Sequence, residues 1–147
     1  MATVELRFSA LPGHVRTARL VAASVARRAG VPESLLDEVR LAVGEACSRA
    51  VSLHRKAGLD TPVRVALYDE PNRFSVEVSD AVPAEPDEDL VLGPEASLET
   101  SLALISSHPE SLNGVLGLAV ITGLVDDVDV RAGASGAVVR MSWPAGG

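Results

Sequence analysis

The chain has 147 residues, of which 47% are hydrophobic and 22% are charged, a composition typical of a globular domain and not of a disordered chain. Its net charge of −7 argues against direct binding to the phosphates of a nucleic acid. With one cysteine, no basic-then-apolar leader, and a longest apolar stretch (Val115 to Val125) too short to span a bilayer, we expect a single soluble cytoplasmic domain over residues 1–147 with no membrane partner.

The first part of the chain predicts one strand followed by two helices. Apolar residues alternate with polar ones from Thr3 to Ser9, as in a half-buried strand. Pro12 suits a first helical turn, and apolar residues then recur at helical spacing until Gly30. Pro32 opens a second helix, which Gly58 closes. The apolar stripe of this second helix consists of Leu35, Val39, Ala42, Val43, Ala46, Ala50 and Leu53.

The remainder predicts two hairpins separated by a loop and further helices. Residues 63–67 and 74–78 alternate in hydrophobicity on either side of a link rich in turn residues, Asp69 to Asn72. Residues 81–97 are rich in Pro, Asp and Glu and have no period, which predicts a mobile loop. The last predicted elements are helices over Leu98–Ser107 and Val115–Val125 and a hairpin of Val128–Arg131 with Ala137–Trp143. Helices followed by antiparallel strands predict an α+β sandwich.

Three stretches resemble a known family when they are taken together. They are "LAVGEAC" from Leu41 to Cys47, "FSVEVSD" from Phe74 to Asp80, and "LGLAVITGLVDDVDV" from Leu116 to Val130. In this order they resemble the anti-sigma-factor serine kinases of the Bergerat (histidine-kinase-like, GHKL) ATPase superfamily, which act on sigma factors in bacterial partner-switching systems. The resemblance covers Val4 to Trp143. It implies a two-layer α/β sandwich with a mixed, mostly antiparallel sheet, helices on one face, a lid over a nucleotide pocket, and usually a homodimer.

The first motif of the family lies on the second helix. There the family carries a Glu, the general base toward a serine hydroxyl, and four residues later an Asn that helps to hold Mg²⁺. A spacing of four puts both side chains on one helix face. In this chain Glu45 matches the base, but Arg49 stands in the Asn position. Because a guanidinium only donates hydrogen bonds, we expect Arg49 to repel Mg²⁺ and to pair with Glu45 instead.

The second motif of the family is an Asp that reads the adenine amino group, followed by two glycines. Asp80 matches the Asp, because it ends the strand "FSVEVSD". Val82 and Ala84 stand where the glycines would fall. A β-branched side chain at a position of close backbone approach is expected to crowd the base or to distort the turn.

The third motif is the glycine-rich start of the last helix, where backbone amides face phosphate. Gly117 and Leu118 match the family pattern. Val115 occupies the place of the first glycine of a G-x-G pair, and Gly114 comes one position early. The three motifs together predict a degenerate ATP-binding site.

Each of these residues also has a purely structural interpretation. Glu45 and Arg49 would form an (i, i+4) ion pair, which stabilises a helix by about 0.2–0.5 kcal/mol without any function. Asp80 would end a strand and begin a turn. Cys47, next to the apolar stripe, is expected in the core. The three histidines are scattered, so no metal site is predicted.

These observations favour an anti-sigma-type transcription regulator that acts by sequestration, a pseudokinase with no cofactor. It would bind a sigma factor and be released by an anti-anti-sigma factor, because such interfaces can outlast phosphotransfer. The first alternative is an active serine kinase of the anti-anti-sigma factor, which would use ATP and Mg²⁺ with Arg49 contacting phosphate. The second alternative is a non-catalytic decoy that binds only the anti-anti-sigma factor.

Overall fold

The computed structural model describes residues 4–83 and 127–146 of the chain. Three predictions fall mainly or wholly outside these ranges: the helices over Leu98–Ser107 and Val115–Val125, and the mobile loop, of which only residues 81–83 are described. The positions of Gly114, Gly117 and Leu118 also lie outside the described residues, so the third motif stays a prediction. Within the described ranges, no helix is both long enough and apolar enough to cross a membrane.

The described ranges contain two helices and five strands, and within these ranges the predicted order of elements is confirmed. The elements are β1 (Val4–Phe8), α1 (Pro12–Ala29), α2 (Glu33–Ala57), β2 (Val63–Glu70), β3 (Arg73–Ser79), β4 (Asp127–Gly133) and β5 (Gly136–Pro144). The strands form one sheet in the order β1-β2-β3-β5-β4, and every described pairing is antiparallel. This arrangement agrees with the predicted α+β sandwich.

The helices begin and end where proline and glycine predicted. Pro12 is in the first turn of α1, where its missing N–H would have had no helical partner. Gly30 ends α1 in the left-handed region at φ 96°, and Gly58 ends α2 in the same way at φ 66°. Because only three residues connect α1 to α2, the two helices pack against each other as an antiparallel hairpin.

The two faces of the sheet have different side chains. On the face toward the helices, strand neighbours in register are apolar and buried, as in the row Val65, Val78, Val139 and Val130. Phe74 and Trp143 stack at 6.2 Å in the same layer. The opposite face, here called the outer face, carries charged side chains in register: Glu5, Glu77, Arg140 and Asp129, with Ala66 between the first two.

Both hairpin turns are tighter than the sequence predicted. The first turn needs only Pro71 and Asn72, because β2 continues through Asp69 and Glu70. Asn72 adopts φ 61°, a left-handed conformation that Asn tolerates better than most residues. The second turn is formed by residues 134 and 135, because β4 and β5 extend to Gly133 and Gly136.

Candidate functional site

Asp80 lies at the end of β3, and both oxygens of its carboxylate accept hydrogen bonds. Its side chain is 2% exposed. One oxygen, Oδ1, accepts hydrogen bonds from the backbone N–H of Val82 at 2.9 Å and of Ala137 at 3.3 Å. The other oxygen, Oδ2, accepts a hydrogen bond from Nη1 of Arg49 at 3.3 Å. Asp80 therefore joins the end of β3, the start of β5 and the middle of α2; we call this junction the Asp80 corner.

Arg49 is the only cation paired with Asp80 among the described residues, and it reaches the carboxylate from α2. Its side chain is 13% exposed, and its Nε has no hydrogen-bond partner in the part of the chain that the structure describes. Burial lowers the pKa of the Arg49 guanidinium, and the carboxylate of Asp80 partly offsets that effect. A guanidinium nevertheless stays protonated at neutral pH, so the corner holds a buried ion pair.

The predicted pair of Arg49 with Glu45 is wrong. Both residues lie on α2 one turn apart, but Arg49 pairs with Asp80, which is 31 residues further along the chain. The physical reason is burial. An unpaired charge costs more when it is buried, so the almost fully buried carboxylate of Asp80 gains more from the cation than the half-buried carboxylate of Glu45 would. The carboxylate of Glu45 has no hydrogen bond or ion pair with any residue that the structure describes.

Val82 takes part in a turn without distorting it. Asp80 accepts the N–H of Val82 two residues on, which is the hydrogen bond of an Asx turn. Among the described residues, Asn72 is the only non-glycine with positive φ, so Val82 adopts an ordinary backbone conformation. The structural interpretation of Asp80 as a residue that begins a turn is therefore confirmed. Crowding of a base by the Val82 side chain stays a prediction.

Gly136 allows β5 to approach the Asp80 corner closely. Its φ is 121°, and an added Cβ would collide with the backbone carbonyl oxygen of Asp80. The N–H of Asp80 donates to the carbonyl oxygen of Ala137 at 3.0 Å. Backbone contacts with β5 thus hold Asp80 on one side, while Arg49 holds it on the other.

His54 on α2 also holds the Asp80 corner in place, and it was not identified from the sequence. Its ring is fully buried; Nδ1 bonds the carbonyl oxygen of Thr61 at 2.8 Å, and Nε2 bonds the backbone N–H of Ala81 at 2.9 Å. An amide can only donate, so Nε2 accepts and Nδ1 carries the proton of a neutral ring. The spacing of the sequence could have identified it: His54 follows Ala50 by four residues and so continues the buried stripe of α2.

Cys47, on the same helix, is unsuited to nucleophilic chemistry. Cys47 is fully buried, as predicted, and burial raises the pKa of its thiol to about 12. A thiol in that state is a poor nucleophile. Among the described residues, no group of His, Cys, Asp and Glu side chains is arranged to hold a metal ion. The structure thus brings Arg49, Asp80 and Val82 together, with Glu45 one turn away on α2.

Two comparisons with known proteins agree with this fold. Residues 8–143 match the family described as the histidine kinase-like ATPase domain. The chain is also 31% identical over 145 residues to the serine-protein kinase RsbW of Bacillus pumilus (strain SAFR-032). That match covers 95% of this chain and 83% of the relative, so it extends over the helices, the sheet and the Asp80 corner.

Proposed function

The chain belongs to the histidine kinase-like ATPase domain family, and we propose that it acts there as an anti-sigma-type regulator of transcription. It sequesters a sigma factor in a partner-switching system in the cytoplasm and is released when an anti-anti-sigma factor competes. ATP binding and kinase activity are lost, and the regulator acts by protein binding alone.

The observation that carries the loss of nucleotide binding is the ion pair between Arg49 and Asp80. By the resemblance, Asp80 stands where the family reads the adenine amino group. Here Oδ1 already accepts two backbone amides, and Oδ2 accepts the guanidinium. An incoming base would compete with Arg49 for Oδ2, and a base that displaced Arg49 would leave a cation buried without a partner, a state that costs about 3–5 kcal/mol.

Arg49 also makes the corner unsuitable for magnesium. By the resemblance, it stands where the family uses an amide oxygen as a ligand of Mg²⁺. A guanidinium has no lone pair to offer a cation, and its positive charge repels one. The buried position of Arg49 strengthens this repulsion, since low dielectric screens charges less than water does. The residues present therefore do not fit a magnesium nucleotide.

The scaffold supports binding to protein partners. The first two predicted helices and the predicted strands are present in the described ranges, and the similarity to RsbW extends over nearly the whole chain. Docking of a protein depends on surface shape and charge, which do not require the chemistry of the pocket. A regulator that sequesters its partner can thus persist on a family fold whose nucleotide site is blocked.

The test is complex formation with purified sigma factors from the same cells, measured by size-exclusion chromatography with and without Mg-ATP. We expect a stable complex with one sigma factor that forms equally well in both conditions and dissociates when the cognate anti-anti-sigma factor is added. Binding to no sigma factor would contradict the proposal. Binding to the anti-anti-sigma factor alone would favour a decoy function.

One observation favours a second candidate, an active protein serine kinase. The carboxylate of Glu45 has no partner among the described residues, and the relative RsbW is a serine-protein kinase by name. In this function Arg49 would contact phosphate, and Glu45 would accept the proton of the serine hydroxyl. Transfer of labelled phosphate from ATP to the anti-anti-sigma factor would support the kinase if Glu45→Ala abolishes it and the matched change Glu38→Ala, on the same helix, does not.

A further inference from the structure

Helix α1 carries unbalanced positive charge in a chain of net charge −7. It contains four arginines and no acidic residue, and all four arginines are exposed: Arg16, Arg19, Arg27 and Arg28. Arg27 pairs with Glu33 at 3.3 Å, although both side chains are largely exposed. Within the described ranges the other three form no ion pair. The exposed side of α1 thus offers cations that have no carboxylate partner in the described part of the chain.

The outer face of the sheet differs in this respect. Every arginine of the sheet strands in the described ranges has an acidic partner there. The pairs are Arg7 and Arg64 with Glu5, Arg73 with Asp127, Arg131 with Asp129, and Arg140 with Glu70 and Glu77. The outer face is therefore close to neutral, and the attraction for an anionic partner is greatest on the helix side.

An open depression of about 420 Å³ lies between the start of α1 and the second half of α2. Its apolar lining is supplied by Pro12, Val15 and Val51, and its polar lining by Ser48, Ser52, Arg55 and Lys56. Arg16 follows Pro12 by four residues and therefore lies on the same side of α1, next to the rim. No acidic residue occupies the first turn of α1, so the helix N-terminus adds to the positive potential.

Exposed leucines continue this surface along the helix hairpin. Leu20 is 56% exposed and Leu41 is 54% exposed, two of the three large hydrophobic side chains that are exposed in the described ranges. An added Cβ on Gly44 would meet the side-chain carbons of Arg19, so α1 and α2 are in close contact at this level. Leu20 follows Arg19 directly, and Leu41 precedes Gly44 by three residues, so both leucines lie within about one helical turn of that contact.

We propose that the depression and its arginine rim form a docking site for an acidic segment of a partner protein. An apolar side chain of the segment enters the depression, while flanking carboxylates meet Arg16 and Arg55. The inference rests on the proposed function, because it describes the kind of protein that the regulator binds. A nucleic acid is disfavoured as occupant, because its charged backbone would extend beyond the arginine rim onto a chain of net charge −7, whereas a short acidic segment meets the rim alone.

The test uses the full chain and two labelled amphipathic helical peptides, measured by fluorescence anisotropy. Both peptides have the same leucine stripe, flanked by glutamates in one and by glutamines in the other. We expect the glutamate peptide to bind at least about tenfold more tightly, and we expect added salt to reduce the difference. Equal binding of the two peptides, or no binding of the glutamate peptide, would overturn the proposal.

Variants of the chain locate the site. The double variant Arg16→Glu/Arg55→Glu is expected to weaken binding of the glutamate peptide by about tenfold or more. The matched double variant Arg7→Glu/Arg131→Glu makes the same charge change on the outer face and is expected to leave the affinity unchanged. Equal losses in the two double variants would overturn the proposal, because only the net charge would then matter.

Sedimentation of the same proteins tests whether the occupant is a second copy of the chain. We expect Arg16→Glu/Arg55→Glu to leave the oligomeric state unchanged; a dimer that this variant dissociates would overturn the assignment to a partner protein. The peptide measurement uses neither a sigma factor nor a nucleotide. Failure to find a sigma complex would thus contradict the proposed function without deciding the docking site. Failure of the glutamate peptide to bind would overturn the docking site without contradicting the proposed function.

Discussion

The arginine–carboxylate pairs on the outer face of the sheet and the one at the Asp80 corner have different surroundings. On the outer face, Arg140 is 38% exposed and donates to Glu77 at 2.7 Å and to Glu70 at 3.1 Å, with its guanidinium 5.5 Å from the centre of the Tyr68 ring. At the Asp80 corner, Arg49 is 13% exposed and lies 3.3 Å from a carboxylate that is 2% exposed. The exposed contacts are shorter, yet the buried one matters more when it is broken.

The difference follows from solvation. Water screens an exposed pair and solvates either partner when the other is removed, so such pairs contribute about 0–1 kcal/mol. A buried charge that loses its partner has no water to replace it, and the loss is about 3–5 kcal/mol. A buried pair therefore need not stabilise the folded state. Removal of either partner is nevertheless costly, so each partner keeps the other in the pair. At this corner, Arg49 keeps Asp80 occupied.

The largest expected effect is that of Asp80→Ala. The change leaves Arg49 buried without its carboxylate and removes the acceptor of two backbone amides. We expect the free energy of unfolding to fall by about 3–5 kcal/mol, measured by urea denaturation. In the double variant Arg49→Met/Asp80→Ala, removal of the unpaired cation should recover part of this loss. A loss below about 1 kcal/mol for Asp80→Ala would place the pair in the same class as the exposed ones.

Gly136→Ala should destabilise the corner from the side of β5. The substitution combines a left-handed φ of 121° with a collision against the carbonyl oxygen of Asp80. We expect a loss of about 2–3 kcal/mol in the free energy of unfolding. Gly133→Ala in the same hairpin is the control, because its Cβ would meet no atom within 4 Å. Equal losses in both variants would mean that the corner is not tightly packed.

The pH dependence of stability tests how completely solvent is excluded from Cys47 on the buried side of α2. Burial raises the pKa of the Cys47 thiol to about 12, so above about pH 9 the unfolded chain loses this proton while the folded chain keeps it. The contribution of the buried thiol to the free energy of unfolding is therefore fully present below about pH 9. Between about pH 9 and pH 12 the free energy of unfolding falls by up to about 1.4 kcal/mol per pH unit. Cys47→Ala should remove this part of the alkaline loss. An unchanged pH profile would contradict the burial of the thiol.

The smallest expected effect is that of Arg140→Ala on the outer face. Glu70 and Glu77 remain partly exposed and are solvated when the guanidinium is removed. We expect a loss of about 0.5–1 kcal/mol, measured in the same denaturation series. A double-mutant cycle with Glu77→Ala gives the pair energy directly. A coupling energy above about 2 kcal/mol would remove the contrast with the Asp80 corner.

Local chemistry made the fold predictable from the sequence. Pro12, Gly30 and Gly58 mark helix ends because each restricts or frees the backbone at its own position. Alternating valines likewise predicted the strands, because one buried sheet face requires a period of two. Within residues 4–83 and 127–146 the difference lay in the turn lengths, since cross-strand pairing extended the strands at the expense of the predicted loops.

The contacts of the candidate site were less predictable because they are tertiary. The sequence placed Arg49 beside Glu45 on one helix face, whereas the fold brings Asp80 to Arg49 from another element. His54 was overlooked for the same reason, since its partners Thr61 and Ala81 lie on either side of the first hairpin. In both cases burial selected the partner, and burial at this corner depends on how α2 packs on the sheet.

The most direct test of a blocked nucleotide site is isothermal titration calorimetry of ATP and ADP, with and without Mg²⁺, into the unmodified chain. The variant Arg49→Asn, which frees Oδ2 of Asp80 and introduces the amide that the family resemblance implies at this position, is the matched comparison. We predict no heat of binding for the unmodified chain at millimolar nucleotide, together with measurable binding to Arg49→Asn. Micromolar, Mg²⁺-dependent binding to the unmodified chain would contradict the proposal that Arg49 blocks the site.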